Sequence, residues 1–192
     1  MSLELHYKPL TEKISYLQPR VLIEAGARSL MEPSTEREIL SIVGENFTDQ
    51  VFADKPQLIP TVLPKRTFLE KAFLLHEEFQ KPSEHIKVDR LSRHLFDLDR
   101  LAATDHSKEA MTDTKLYQSI IEHRQIFNPV KRIDHANHQP HKVNLIPPTE
   151  VIKDWETDYS IMQGSMIYGN SKSFQKLIVS MEKIMMRFRK TV

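Results

Sequence analysis

Four glycines among 192 residues, no two of them adjacent, limit what this chain can fold into. An all-β fold needs many tight turns, and glycine supplies the positive φ angles that the favoured hairpin turns require. Gly26, Gly44, Gly164 and Gly169 each stand alone, so the chain has neither a G-x-G-x-x-G fingerprint nor a Walker loop. The expected class is α+β and predominantly helical, with short strands near the N-terminus followed by a helical domain.

Charge and cysteine content narrow the function classes. With 27 basic and 26 acidic residues, the net charge of +1 argues against a protein that coats nucleic acid by bulk charge. The absence of cysteine removes disulfides, thiolate zinc sites and a cysteine nucleophile. No apolar run approaches the ~18 residues needed to span a bilayer. The N-terminal segment lacks the basic stretch and apolar core of a secretory signal. The expectation is a cytoplasmic protein with no membrane partner.

Local patterning divides the chain near Pro64. Arg20-Val21-Leu22-Ile23-Glu24-Ala25 is rich in branched residues and predicts a strand. Pro33-Ser34-Thr35-Glu36 predicts a helix start, because Thr35 and Glu38 have capping-box spacing and Ile39, Ile42 and Val43 supply an apolar stripe. Leu58 to Leu63 predicts an edge strand, since Pro60 cannot donate to a ladder. Residues 1–65 are thus expected to hold strands and one helix, and residues 66–192 a helical domain.

Within the second part, Thr67 and Glu70 repeat the capping-box pattern before Phe68, Ala72, Leu75 and Phe79. Lys81-Pro82-Ser83 breaks that helix, and Leu91, Leu95, Leu98 and Leu101 line the next. A third helix is expected from Thr114 to Phe127, then a loop rich in His, Asn and Pro. Ser173 is positioned to cap a last helix bearing Phe174, Leu177, Met181, Ile184 and Phe188. Its basic end, from Arg187 to Lys190, suits a helix C-terminus.

Lys71 and Asp97 are equally far from Glu84, at the middle of the connection between the first two of these helices. In an antiparallel hairpin such residues lie at one height, and packed helix axes ~8–10 Å apart let long side chains meet. The pair either ties the helices together or lines a cleft. Asp97-Leu98-Asp99 resembles a two-metal D-x-D, but on a helix positions i and i+2 point ~200° apart. At most one of these carboxylates therefore faces a site.

Glu24 shares a strand face with Leu22. It is either an edge-strand carboxylate partnered by Arg20 or Arg28, which its spacing favours, or a ligand for a hard cation such as Mg²⁺. His135, His138 and His141 form H-x-x-H-x-x-H, which reads as a polar loop before it reads as a zinc site, because no second ligand cluster accompanies it. Trp155 to Tyr159 and the methionine-bearing tail read as packing.

Three blocks carry a resemblance. Pro64-Lys65-Arg66-Thr67-Phe68-Leu69-Glu70-Lys71, Leu74-Leu75-His76-Glu77 and Arg93-His94-Leu95-Phe96-Asp97-Leu98-Asp99-Arg100-Leu101 resemble the AbiEii/AbiGii-type nucleotidyltransferase toxins of the DNA polymerase β-like superfamily. Val21 to Ser29, Trp155 to Tyr159 and Met166 to Gly169 are similar to further segments of that family. The resemblance implies transfer of a nucleoside monophosphate from an NTP, with Mg²⁺, in a toxin–antitoxin or phage-defence setting. It implies that Lys71 matches the third motif and contacts nucleotide phosphates. Asp97 matches the fourth motif and orients that lysine or assists proton transfer. Glu24 matches the later acidic strand position, a metal ligand.

The family's Gly-Gly-Ser/Thr segment and strand-borne D-x-D have no counterpart in this sequence. The chain is therefore expected to correspond to roughly the C-terminal two-thirds of a family member. It is expected to be inactive alone and to bind neither Mg²⁺ nor NTP tightly. Expected partners are an antitoxin protein, a tRNA or protein acceptor, and a second copy in a homodimer. The rival reading is a non-catalytic helical interaction module that binds an antitoxin, RNA or itself. A zinc protein built on the histidine loop ranks below both.

Overall fold

Arg20 to Glu24 carries a run of three branched apolar side chains between two charged ones, and this segment is a strand in the computed structural model, which describes residues 1–10, 12, 18–25 and 33–190. Strand β1 (Ser2–His6) pairs antiparallel with β2 (Arg20–Glu24), setting Leu3 opposite Ile23 and Leu5 opposite Val21. These four residues form one face of the ribbon. Ser2, Glu4, His6, Arg20, Leu22 and Glu24 form the other.

A second ribbon joins β3 (Ser34–Ile39) to β4 (Gln57–Val62), with Pro60 opposite Glu36. The helix expected at Pro33–Glu36 is therefore a strand. The Thr35/Glu38 capping-box spacing is short enough to arise by chance, and antiparallel pairing with β4 satisfies this backbone instead. The helical turn comes later, in α1 (Ile42–Asn46), where Ser41 caps by accepting from the Gly44 N–H at 2.9 Å. A Cβ on Gly44 would crowd the Asp54 carboxylate and the Leu40 side chain, so a larger residue in this turn would have to displace them. Each ribbon has two strands, so β4 is an edge strand, as Pro60 predicts.

The remainder is helical, which makes the class α+β with strands first. The helices are α2 (Pro64–Glu78), α3 (Ser92–Ala102), α4 (Asp105–Thr112), α5 (Thr114–Phe127), α6 (Ile152–Ser165) and α7 (Phe174–Arg189). Helix α2 starts one turn before the Thr67/Glu70 box, because Pro64 at the first helical position fixes a helical φ. Glu70 accordingly turns to Arg66 rather than to a cap. Helix α4 has no counterpart in the sequence reading; only Ala110 and Met111 of its apolar side chains are buried, too weak a stripe to register.

Helix α2 packs against α3, α4 and α5, while α3 also meets α6 and α7. The core runs through Phe68, Phe73, Leu95, Leu98, Trp155 and Phe188, all on these helices and all buried. Trp155, Tyr159 and the tail residues expected to pack do so. Ser173 caps α7. Arg187 donates to the Ala102 carbonyl at 3.1 Å and to Ser107 Oγ at 2.7 Å, so this cation serves the end of α3 as well as that of its own helix. Among the described residues, no helix is long and apolar enough to cross a membrane.

Two carboxylates fix the α2–α3 hairpin. Glu78 accepts from the Lys87 N–H at 2.6 Å and from Lys81 Nζ, closing the bend around Pro82. Asp158 on α6 accepts from the N–H groups of Arg90 at 2.8 Å and Ser92 at 3.1 Å. Leu91, the residue at the α3 cap position, has no capping side chain, so a carboxylate from another helix satisfies donors that the local sequence leaves open.

Candidate functional site

The hairpin brings Lys71 and Asp97 together. Lys71 Nζ donates to Asp97 Oδ2 at 2.7 Å, and its contact with His94 Nδ1 is a longer 3.5 Å. An ammonium has no acceptor, so the imidazole must accept. Burial, reinforced by the charges of Lys71 and Arg93, pushes His94 down to about 4, which leaves it neutral at pH 7. His94 and Asp97 lie one turn apart on α3, and both point at the lysine. His94 escaped the sequence reading; its spacing of three residues from Asp97 was the available signal.

Asp99 points elsewhere. It accepts from Lys172 Nζ at 2.6 Å, while Leu98 between the two aspartates is buried. The helix thus separates the D-x-D carboxylates, as its period requires.

Lys71 lines a groove of about 360 Å³ with Val62, Arg66, Thr67, Glu70, Leu74, His94 and Arg124. Arg66 is held by Glu70, with Nη2 to Oε1 at 2.7 Å. Arg124 reaches from α5, donating through Nε to Glu77 Oε1 at 2.7 Å and through Nη2 to the other oxygen. Burial alone raises the Glu77 carboxyl, but the hydrogen bonds from Arg124 and His138 outweigh it and hold the group down at about 2. The groove therefore presents Lys71 and the Glu70 carboxylate most openly, with Arg66 and Arg124 largely buried and paired behind them.

Glu24 lies on the polar face of the first ribbon, exposed and opposite Ser2. Arg20, one partner weighed for it, pairs instead with Glu4 across the strands. Arg28, the other, and the rest of Gly26 to Ser29 lie outside the described residues. Among the described residues, the one trio of acidic or imidazole groups close enough to share an ion is Glu77, His135 and His138, and Glu24 has no part in it.

The histidine loop is more ordered than a polar connection would be. Asp134 caps a 3₁₀ turn at His135–Asn137. The i, i+3 relation of such a turn stacks His135 on His138, with ring centroids 5.1 Å apart. His138 is buried, and Tyr117 Oη donates to its carbonyl at 2.6 Å. His141 is exposed and stands outside this group.

A family model described as "Nucleotidyl transferase AbiEii toxin, Type IV TA system" matches residues 2–180. The chain belongs to the AbiEii nucleotidyl transferase toxin family. No curated protein and no solved structure matches it. Membership covers the two ribbons, the hairpin and the first part of α7, so Lys71, His94 and Asp97 all fall within the matched span.

Proposed function

We propose that this chain supplies the Lys71–Asp97 side of a nucleotidyl-transfer site. The observation that carries the proposal is the ammonium of Lys71, 2.7 Å from Asp97 at the wall of a groove, in a chain of a nucleotidyl transferase family. The reaction joins an acceptor hydroxyl to the α-phosphorus of an NTP and breaks the α–β bridging P–O bond. Pyrophosphate leaves, and the hydroxyl proton passes to a base. Charge accumulates on the leaving phosphates, and a fixed ammonium stabilises it without reorganisation.

Asp97 and neutral His94 occupy two of the three donors of Lys71 and so aim the third at the groove. Glu24 is the proposed ligand on the metal-holding side, the sequence lacks the family's Gly-Gly-Ser/Thr segment and strand-borne D-x-D, and no step is assigned to Mg²⁺ in this chain. We therefore expect the isolated chain to be catalytically silent, its setting a toxin–antitoxin system, and its acceptor a tRNA or a protein. Incubation with each α-labelled NTP and Mg²⁺, with and without tRNA, tests this. No labelled product is expected, and turnover by the chain alone contradicts the silence.

One observation favours the rival module that binds an antitoxin, RNA or a second copy. Leu3, Leu5, Val21 and Ile23 on one face of the first ribbon are each about half exposed. Light scattering separates the readings. A mass that rises with concentration, without any NTP binding, supports the module.

A further inference from the structure

A second set of ligating groups lies away from Lys71. Glu77 projects from α2, and His135 and His138 from the capped 3₁₀ turn; their ligand atoms all lie within 4.8 Å of one another. His138 is buried with both nitrogens facing acceptors. Its Nδ1 is 3.1 Å from the His135 carbonyl, which can only accept, and its Nε2 is 3.0 Å from Glu77 Oε1. Whichever nitrogen of a neutral imidazole carries the proton, the other turns its lone pair toward an acceptor, and with Nδ1 as the donor that acceptor is the Glu77 carboxylate. Two acceptors at that distance repel unless a cation or a proton lies between them. His135 adds a buried Nδ1 with no hydrogen-bond partner. His76, the fourth imidazole nearby, is satisfied: Nε2 meets the Asn137 carbonyl at 2.9 Å, and Nδ1 accepts from the Asn144 N–H at 3.1 Å.

We propose that Glu77, His135 and His138 form a binding site for a divalent cation of the zinc class. Two imidazoles and one carboxylate suit Zn²⁺, whereas Mg²⁺ and Ca²⁺ select all-oxygen sets. Zinc bonds of ~2.0–2.2 Å place tetrahedral ligand atoms about 3.4 Å apart, close to the separation that Nε2 and Oε1 already have. His135, half-buried, closes the remaining distance by a side-chain rotation. Arg124 holds both oxygens of Glu77 and so fixes the carboxylate as an outer-shell partner. Its charge also opposes a second cation, so the affinity is micromolar rather than nanomolar.

Three protein ligands leave a fourth position. His135 and His138 form part of the wall of a cavity of about 460 Å³, together with Tyr117, Gln118 and Gln125. Water or a small anionic ligand reaches the ion from that side. The sequence motif suggested three histidines, but the third ligand is a glutamate some sixty residues away on α2, which the motif could not show.

The test uses tag-free, chelator-treated protein titrated with Zn²⁺ against a chromogenic competitor, with Co²⁺ absorption as a second readout. The expected result is one equivalent per chain, at least a tenfold weaker affinity in His135→Ala, and no change in His141→Ala. Circular dichroism verifies that His135→Ala remains folded. The proposal is overturned if the wild-type chain binds no zinc at micromolar concentration, or if His135→Ala binds it equally well. It is also overturned if ¹⁵N NMR in excess Zn²⁺ finds His138 protonated on both nitrogens, since the proton then fills the gap.

Discussion

Lys71 and Asp97, 26 residues apart in sequence, meet at 2.7 Å across the α2–α3 hairpin while both side chains keep partial access to solvent, 23% and 37%. A pair so exposed contributes ~0–1 kcal/mol to stability. Asp97→Asn should therefore lower the unfolding free energy by less than about 1 kcal/mol, read as a small shift in urea midpoint. A loss of several kcal/mol would mean that the pair exists to hold the helices together.

Glu77 and Arg124 are the structural counterpart. Both are buried, and removing one partner strands the other's charge. Arg124→Ala should cost about 3–5 kcal/mol in urea unfolding. The same substitution opens the floor of the Lys71 groove, so NTP binding should be compared only under conditions where the variant is folded.

Asp158 caps α3 from another helix. Asp158→Ala should destabilise by ~1–3 kcal/mol, because one buried and one part-buried N–H donor lose their acceptor. Asp158→Asn, which keeps one carbonyl oxygen, should cost less. Equal losses would place the effect in packing rather than in the cap.

His94 sets a pH dependence. Its imidazole is held at about 4 in the fold against an ordinary 6.5, so the unfolded chain binds the proton more readily. Its contribution to stability is complete above pH 6.5 and is lost as the pH falls from 6.5 towards 4. The loss is on the order of 3 kcal/mol across that window. His94→Gln should flatten the stability profile in that window; an unchanged slope would show that His94 is not the titrating group.

The Lys71–Asp97 meeting was legible because it depends on local facts alone: two apolar stripes, a break at Pro82 and equal distances from Glu84. Strand β2 was legible for the same reason, from its run of branched residues. The segment 34–39 was misread because capping-box spacing is a four-residue coincidence, whereas pairing with Gln57–Val62 is set by a distant partner. Helix α4 was missed because few of its side chains are apolar. The Glu77–Arg124–His138 cluster was out of reach, since its members lie 47 and 61 residues apart and nothing in the local sequence ties them. Two of the three histidines of H-x-x-H-x-x-H, His135 and His138, gather beside Glu77, with His141 left outside.

A role for Lys71 in nucleotidyl transfer requires its ammonium to face nucleotide phosphates, and titration with NTP and Mg²⁺ followed by ¹H–¹⁵N NMR tests this most directly. Weak binding with shifts centred on Lys71, Thr67 and His94 is expected, abolished in Lys71→Ala and retained in Lys153→Ala, a change at an exposed site on α6. Identical titrations of the two variants, or shifts confined to residues outside the hairpin, would contradict it.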